Sequence, residues 1–169
     1  MTKKVSVAIL GSTGFVGLEL VKILSKHPNV NIVFFGTENN PDKLLKDIDP
    51  SIDLSTNPST ELNENFDSSK VDTVFLALPH GASHKYVKSF YNKVQIIDLS
   101  ADFRLDEIEI YERNYNEKHS APNLLKDFLY GLPEINKIKP GVVRNRRKLH
   151  CENSGQIRKG IDRDVRSIA

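Results

Sequence analysis

The sequence predicts an α/β fold with a doubly wound parallel sheet, and two observations lead to that prediction. Short apolar segments of strand character lie at 5–10, 71–78 and 94–99, and helical patterns separate them. A glycine-spaced turn also follows the first segment directly, before the first helical pattern. Continuous apolar runs of this length are typical of parallel strands that helices cover on both faces. Right-handed crossovers would then place the loops after the strands at one edge, where Rossmann-like domains bind ligands.

The individual elements follow from apolar spacing and from the residues that end each run. The first strand is predicted at Val5–Leu10, and a helix from Phe15 to about Lys26 carries an apolar stripe that His27-Pro28 ends. In chain order, the other predicted elements are a strand at Asn31–Phe35, one or two helical turns at Lys43–Asp47, a strand at Val71–Leu78, a helix at Ser83–Tyr91, a strand at Val94–Leu99, a charged helical pattern from Asp106 to Phe128 and a turn at Tyr130–Glu134.

The glycine-rich turn after the first strand, GSTGFVG, predicts a diphosphate site. Backbone N–H groups at the start of a helix have no partner within it, and the helix dipole favours an anion there. Gly11 would allow the turn, Gly14 would let a diphosphate approach, and Gly17 would let the helix pack closely. The alternative is an ordinary strand-turn-helix. The predicted contacts are Gly11, Ser12, Thr13, Gly14, Phe15, Val16 and Gly17.

Two features near the second strand bear on the choice between NADP and NAD. Thr37 ends that strand, where the adenosine ribose of a dinucleotide would lie, and its hydroxyl suits a 2′-phosphate with Lys43 as a nearby cation. Glu38 instead suits the acidic residue that binds a free 2′-hydroxyl. The residues themselves therefore leave both cofactors open.

The turn after the strand at 71–78 is predicted to flank the nicotinamide. The residues concerned are Leu78, Pro79, His80 and Gly81. His80 and His84 have the i, i+4 spacing of a metal pair on a helix, but the HExxH context is missing. We therefore predict no metal site, and His80 is interpreted as a polar turn residue or a cofactor contact.

Composition and charge limit the class of protein. The chain has 169 residues, 38% of them hydrophobic and 27% charged, which is typical of a soluble globular protein. We expect no membrane span and no cleavable signal. A single cysteine favours a reducing, cytoplasmic location. Residues 1–136 carry a net charge of −5 and residues 137–169 one of +7, so we predict a dinucleotide-binding domain followed by a basic, poorly ordered tail.

Four segments in order resemble the N-acetyl-γ-glutamyl-phosphate reductase family, a relative of aspartate-semialdehyde dehydrogenase. They are GSTGFVG, FLALPHG at Phe75–Gly81, IDLSADFR at Ile97–Arg104 and YGLPEIN at Tyr130–Asn136. The resemblance implies a homo-oligomeric enzyme that reduces a small acyl phosphate to an aldehyde with NADPH, and it favours NADP here. It also implies a cysteine thiolate as the nucleophile and a histidine as the acid/base.

The loop at 100–104 is the predicted substrate site. The guanidinium fork of Arg104 matches a phosphate group, and Ser100 and Asp102 are predicted to orient it. The alternative is an Arg–Asp pair that secures the loop.

The chain departs from the family after Asn136. Pro140-Gly141 resembles part of the family's NPGCYP segment, but Val142 stands where the nucleophile belongs. Cys151 lacks that motif and is interpreted as an accidental thiol, so no catalytic residue is assigned. We expect the second, catalytic domain to be absent, the chain to be a truncated or frame-shifted product, and the product to be inactive alone.

The same motifs bear on other functions. A short-chain dehydrogenase would need Tyr-x-x-x-Lys, and none of the five tyrosines has lysine at that spacing. The basic residues at 144–148 would attract nucleic acid, but they lack aromatic neighbours and a recognition motif, so no specific nucleic-acid partner is predicted. A non-catalytic dinucleotide-binding or regulatory domain remains the alternative.

Overall fold

The computed structural model describes residues 4–130 and 149–151, and its strands form one parallel sheet. The strands are β1 (Val5–Leu10), β2 (Val30–Thr37), β3 (Glu61–Leu62), β4 (Thr73–Leu76), β5 (Gln95–Asp98), β6 (Phe128–Tyr130) and β7 (Leu149–Cys151). Within the described residues their order is β3-β2-β1-β4-β5-β7-β6, and every neighbouring pair is parallel. The predicted doubly wound parallel sheet is confirmed.

Four α-helices and three short 3₁₀ segments connect these strands in the described part of the chain. They are α1 (Phe15–Leu24), α2 (Leu45–Ile48), α3 (Ser83–Phe90) and α4 (Ile108–Tyr115), with 3₁₀ segments at Asn63–Asn65, Ser68–Lys70 and Pro122–Asp127. The helix α1 begins where the glycine turn ends, and α3 begins after the turn that follows β4. Each of these helices therefore starts at the same edge of the sheet.

The sheet buries apolar side chains on both faces, which explains why its strands have continuous apolar sequences. Along β1, Ala8 and Leu10 join one hydrophobic cluster while Val7 and Ile9 join the other. The cluster with Val7 and Ile9 also contains Leu20, Val21 and Leu24 of α1. The cluster with Ala8 and Leu10 also contains Tyr86, Val87 and Phe90 of α3. Because alternate residues of β1 are buried on opposite faces, both of its faces exclude water.

Several boundaries differ from the sequence-based expectations. The third predicted strand is shorter, since β4 covers only Thr73–Leu76. The expected helical pattern up to Phe128 is wrong at its end, because a 3₁₀ segment leads into β6, which pairs with β7. The prediction also missed β3, a two-residue strand in a polar stretch. The structure places Leu149–Cys151 of the predicted tail in the sheet; the rest of 137–169 and the turn after Tyr130 lie outside the described residues.

None of the helices in residues 4–130 combines the length and the apolar character that a membrane span requires.

Candidate dinucleotide site

The glycine turn between β1 and α1 is shaped by close backbone contacts. Gly11 has a φ of +81°, and a Cβ added there would overlap the carbonyl oxygen of Ala77 after β4. A Cβ on Gly17 would overlap the carbonyl oxygen of Gly11 and lie 2.7 Å from the Cα of Ser12. The roles predicted for these two glycines, a tight turn and close helix packing, agree with these contacts.

Gly14 differs from these two glycines because a Cβ added there would overlap no other atom. It is the N-cap of α1 with a φ of −78°, which any residue can adopt. The nearest neighbour of an added Cβ would be the Gly11 oxygen at 3.5 Å, an ordinary contact. Within the described residues no side chain caps the start of α1, and Phe15 is 85% exposed. The first amides of α1 therefore have no side-chain acceptor among the described residues, as expected of an anion site at a helix N-terminus.

The end of β2 is joined to the glycine turn by three hydrogen bonds. The N–H and hydroxyl of Ser12 both donate to the Gly36 carbonyl oxygen, at 2.7 and 2.9 Å. The hydroxyls of Thr13 and Thr37 lie 2.9 Å apart, and Thr37 also accepts from the Asn40 N–H at 3.3 Å. Thr37 is almost fully buried. The two predicted loops are thus brought together, and the Thr37 hydroxyl is already engaged with protein groups.

Asn63 is a residue that sequence reasoning missed. It follows β3 and is buried, and its Oδ1 accepts from the Gly11 N–H at 3.1 Å. Its Nδ2 donates to Oε2 of Glu38 at 3.0 Å. The other carboxylate oxygen of Glu38 lies 3.9 Å from Nζ of Lys85 on α3. The only signal in the sequence was its place in a polar segment, so only the fold reveals this connection.

The turn after β4 is held by the carboxylate of Asp102. Its Oδ1 accepts from the Gly81 N–H at 2.8 Å and lies 2.8 Å from Nδ1 of His80. Its Oδ2 accepts from the Ser83 N–H at the start of α3, at 3.0 Å. Asp102 is fully buried, whereas the His80 side chain is 32% exposed. This carboxylate therefore takes the position at α3 that an external anion would take at α1.

Aromatic and ionisable side chains surround this carboxylate. The Tyr111 hydroxyl lies 3.3 Å from Nε2 of His80 and 3.4 Å from Nε2 of His84. Nε2 of His80 is also 3.3 Å from Oε2 of Glu117. His119, another residue missed from the sequence, has its Nε2 2.8 Å from the backbone oxygen of Asp102. We call His80, His84, Asp102, Tyr111, Glu117 and His119 the histidine–aspartate cluster.

Burial shifts the pKa values of three cluster members, His84, Tyr111 and His119, and of the neighbouring Asp98. Desolvation lowers the pKa of His84, and desolvation together with the nearby His84 lowers the pKa of His119 to about 4. Desolvation raises the pKa of the Tyr111 hydroxyl, with the Asp102 charge adding to the effect. Complete burial raises the pKa of Asp98 to about 7. His84 and His119 are therefore buried as neutral groups at pH 7.

The predicted substrate residues lie in one loop but have different surroundings. Ser100 donates to Asp98 at 2.9 Å and accepts from the Asp102 N–H at 3.1 Å, so both Ser100 and Asp102 are used within the loop. We therefore interpret these two as residues that shape the loop, and direct contact with substrate remains a prediction for Arg104. Arg104 is half-buried, and its backbone N–H donates to the backbone oxygen of Ala101 at 3.3 Å.

The remaining predicted site residues differ in their burial. The side chain of Leu78 packs against the core, while Pro79 is exposed beside His80. Val16 is partly buried against the core cluster on the α1 face. The backbone of Cys151 is in register with Asp98 at the carboxyl end of β7. In residues 4–130 no three His, Cys, Asp or Glu side chains converge to hold a metal ion.

The parallel sheet, the glycine turn and the uncapped start of α1 define an α/β domain of the dinucleotide-binding class. The chain belongs to the family described as semialdehyde dehydrogenase, NAD binding domain, whose model matches residues 6–140. The family relationship predicted from the four motifs is confirmed, and a nicotinamide dinucleotide is the cofactor class of this family.

Relatives at the sequence level carry the name N-acetyl-gamma-glutamyl-phosphate reductase. The protein of that name from Ehrlichia chaffeensis is 46% identical over 138 residues, which cover 80% of this chain. The one from Acinetobacter baylyi is 39% identical over 137 residues. The chain spans 39% of the length of each of these relatives.

Solved structures of aspartate semialdehyde dehydrogenases share the fold. A Vibrio cholerae enzyme complexed with ASA matches with a TM-score of 0.64 and 22% identity, covering 90% of this chain and 38% of that one. A Candida albicans enzyme with NADP matches with a TM-score of 0.60 and 20% identity, covering 88% and 42%. At these identities the likeness establishes the architecture.

Proposed function

We propose that this chain is the cofactor-binding part of an N-acetyl-γ-glutamyl-phosphate reductase, an oxidoreductase of arginine biosynthesis in the cytoplasm. Sequence identity of 46% to a protein of that name supports the reaction class. The observation that carries dinucleotide binding is the start of α1, where no described side chain caps the amides and Gly14 carries no side chain of its own. A diphosphate bound there would accept hydrogen bonds that the protein does not itself satisfy.

The rest of the cofactor would lie along the edge of the sheet. From the diphosphate at α1, the adenosine ribose would extend toward the end of β2 at Thr37. The nicotinamide would extend toward the turn after β4, at 78–81. Support for this direction comes from the hydrogen bonds of Ser12 to the Gly36 oxygen at the end of β2 and from the close approach of Gly11 to Ala77, just before the turn after β4. NADP is the proposed cofactor because the resemblance favours it and because the cation of Lys85 lies beside the β2 end.

The substrate of the proposed reaction is a small acyl phosphate. The Arg104 guanidinium would bind its phosphate, and the hydrogen bonds of Ser100 and Asp102 would hold the loop that carries Arg104. NADPH supplies the hydride in this chemistry. Since the family's cysteine motif is not found in residues 1–169, we expect this chain by itself to bind the cofactor without turnover.

A competition titration tests the proposed cofactor site. NADPH fluorescence should change saturably on binding, and ADP should displace NADPH whereas adenosine, which lacks the diphosphate, should not. A reductase assay run in parallel should give no turnover. Absence of NADPH binding, or equal competition by adenosine, would contradict the diphosphate site, and measurable turnover would contradict the expectation of inactivity.

Gly14→Asp separates binding from folding. Because Gly14 is the N-cap of α1, an aspartate there would cap the helix and keep or raise its stability. The same carboxylate would occupy and repel the diphosphate position, so NADPH binding should be lost. Retained NADPH binding by a folded Gly14→Asp variant would place the dinucleotide elsewhere. Glu109→Gln, at an exposed position on α4, serves as the control and should bind like the original chain.

A further inference from the structure

We propose that Glu38, positioned by Asn63, limits the preference for NADP over NAD in the dinucleotide site. Glu38 would accept a hydrogen bond from a free ribose 2′-hydroxyl and oppose a 2′-phosphate. The inference rests on the proposed function, because it assumes that the dinucleotide lies along the β2 end.

The orientation of the Asn63 amide is determined by its two neighbours. Its oxygen faces a donor, the Gly11 N–H at 3.1 Å, so its NH₂ group must face Glu38 at 3.0 Å. Asn63 is only 2% exposed, so its amide is buried, while the acceptor Glu38 keeps contact with solvent. A rotation of the amide would place two donors against each other at Gly11, so the donor toward Glu38 is kept in place.

The same amide connects the ribose end to the diphosphate end. Gly11 opens the turn whose later amides form the start of α1, and Asn63 holds its N–H. A Cβ on Gly36 would overlap Oδ1 of Asn63, so the absence of a side chain at Gly36 gives the amide its space. Glu38 is consequently held at a defined distance from the amides that would grip the diphosphate.

The charge of Glu38 provides the discrimination. Its side chain is 62% exposed, so a bound ligand can reach it, and it follows Thr37 at the end of β2. A 2′-phosphate beside this carboxylate would meet like charge, whereas a 2′-hydroxyl would find an acceptor. Lys85 lies 3.9 Å from Glu38 and would partly offset the repulsion of a phosphate. The expected outcome is a chain that binds both cofactors, with its preference for NADPH limited by Glu38.

The test compares dissociation constants for NADPH and NADH in the original chain and in Glu38→Gln, measured by cofactor fluorescence. Loss of the carboxylate should lower the ratio Kd(NADPH)/Kd(NADH) by about tenfold. ADP should bind the original chain more tightly than 2′-deoxy-ADP, and this difference should shrink in Glu38→Gln, whose amide oxygen is a weaker acceptor. Glu109→Gln removes an equal charge far from the β2 end and should leave the ratio unchanged.

Asn63→Asp tests the positioning role. It keeps an acceptor for the Gly11 N–H but replaces the donor toward Glu38 by a like charge. It should weaken NADH binding about fivefold in the original chain and less than about twofold in Glu38→Gln, because the effect acts through Glu38. Equal weakening in both backgrounds would overturn the positioning role.

The outcomes separate the two proposals. If the original chain binds neither cofactor, the proposed function fails and the inference fails with it. If both cofactors bind but the NADPH/NADH ratio is the same in Glu38→Gln, only the inference is overturned.

Discussion

The helices α1 and α3 begin at the same edge of the sheet, but the amides at their N-termini have opposite surroundings. At α1, no side chain of residues 4–130 caps the amides, and the N-cap residue Gly14 has no side chain of its own. At α3, the carboxylate of Asp102 accepts from the Ser83 N–H and from the Gly81 N–H before it. The same electrostatic position is thus filled by the protein's own anion at α3, whereas at α1 we propose that the diphosphate of the cofactor fills it.

This difference separates ligand binding from stability. The Asp102 carboxylate at α3 is fully buried among histidines and Tyr111. Its loss should therefore lower the free energy of unfolding and make the stability of this region sensitive to pH. The start of α1 is built from glycines and small hydroxyl side chains, so changes there should alter cofactor affinity unless they create overlap. Variants at four positions test this difference between the two helix N-termini.

Asp102→Ala should produce the largest loss of stability. It would leave the Gly81 and Ser83 N–H groups and His80 without their buried acceptor, and we expect unfolding free energy to fall by about 3 kcal/mol. Urea denaturation measures this, with the exposed Asp106→Ala as the control. Added formate should restore part of the stability by binding at the vacated position. A loss below about 1 kcal/mol would contradict the assigned role.

Gly17→Ala should destabilise by about 2 kcal/mol, because its Cβ would overlap the Gly11 oxygen and force the turn to move. NADPH affinity should fall with it. Gly14→Ala is the matched control, since its Cβ would find ordinary contacts, and its unfolding free energy should stay within about 0.5 kcal/mol of the original. Thermal unfolding of both variants gives the comparison. Equal stability of the two would contradict the packing role of Gly17.

Asp98→Asn should change the dependence of stability on pH. Burial raises the pKa of Asp98 to about 7, so this group lowers stability as pH rises from about 4 toward 7. The lowered pKa of His119, about 4, acts in the opposite sense, because stability is lost as pH falls from about 6.5 toward 4.

These opposing contributions partly cancel in the original chain. Without Asp98, unfolding free energy should therefore fall by about 1–2 kcal/mol more between pH 6.5 and 4.5 than it does in the original chain. Urea denaturation at several pH values measures the slope. If the unfolding free energy of the original chain and of Asp98→Asn changed with pH by the same slope, the raised pKa of Asp98 would be contradicted.

Thr37→Val should have the smallest effect. It would remove the hydroxyl shared with Thr13 and the acceptor for the Asn40 N–H, lowering unfolding free energy by about 1 kcal/mol. NADPH affinity should fall about threefold, because the β2 end and the glycine turn would separate slightly. The exposed Thr56→Val should change neither quantity. An unchanged affinity would remove Thr37 from the predicted cofactor contacts.

The elements that the sequence predicted well are those whose signal is local. The apolar run of β1, the glycine turn and the stripe of α1 occupy adjacent positions, and β1 ends where it was predicted. The missed features depend on distant partners. Asn63 lies 52 positions from Gly11 and 25 from Glu38, and β3 has only two residues, too few to show a period. The partners of Asp102 likewise come from separate elements, so its role as an internal anion could not be predicted from the loop.

Amide NMR shifts during titration with NADP⁺ test the central claim most directly. Because the diphosphate is expected at the start of α1, the largest shifts should fall on the amides of residues 12–16. The amides of Gly81 and Ser83, which Asp102 already occupies, should change much less. Saturable binding whose largest shifts fall at the start of α3, with residues 12–16 unmoved, would contradict the account.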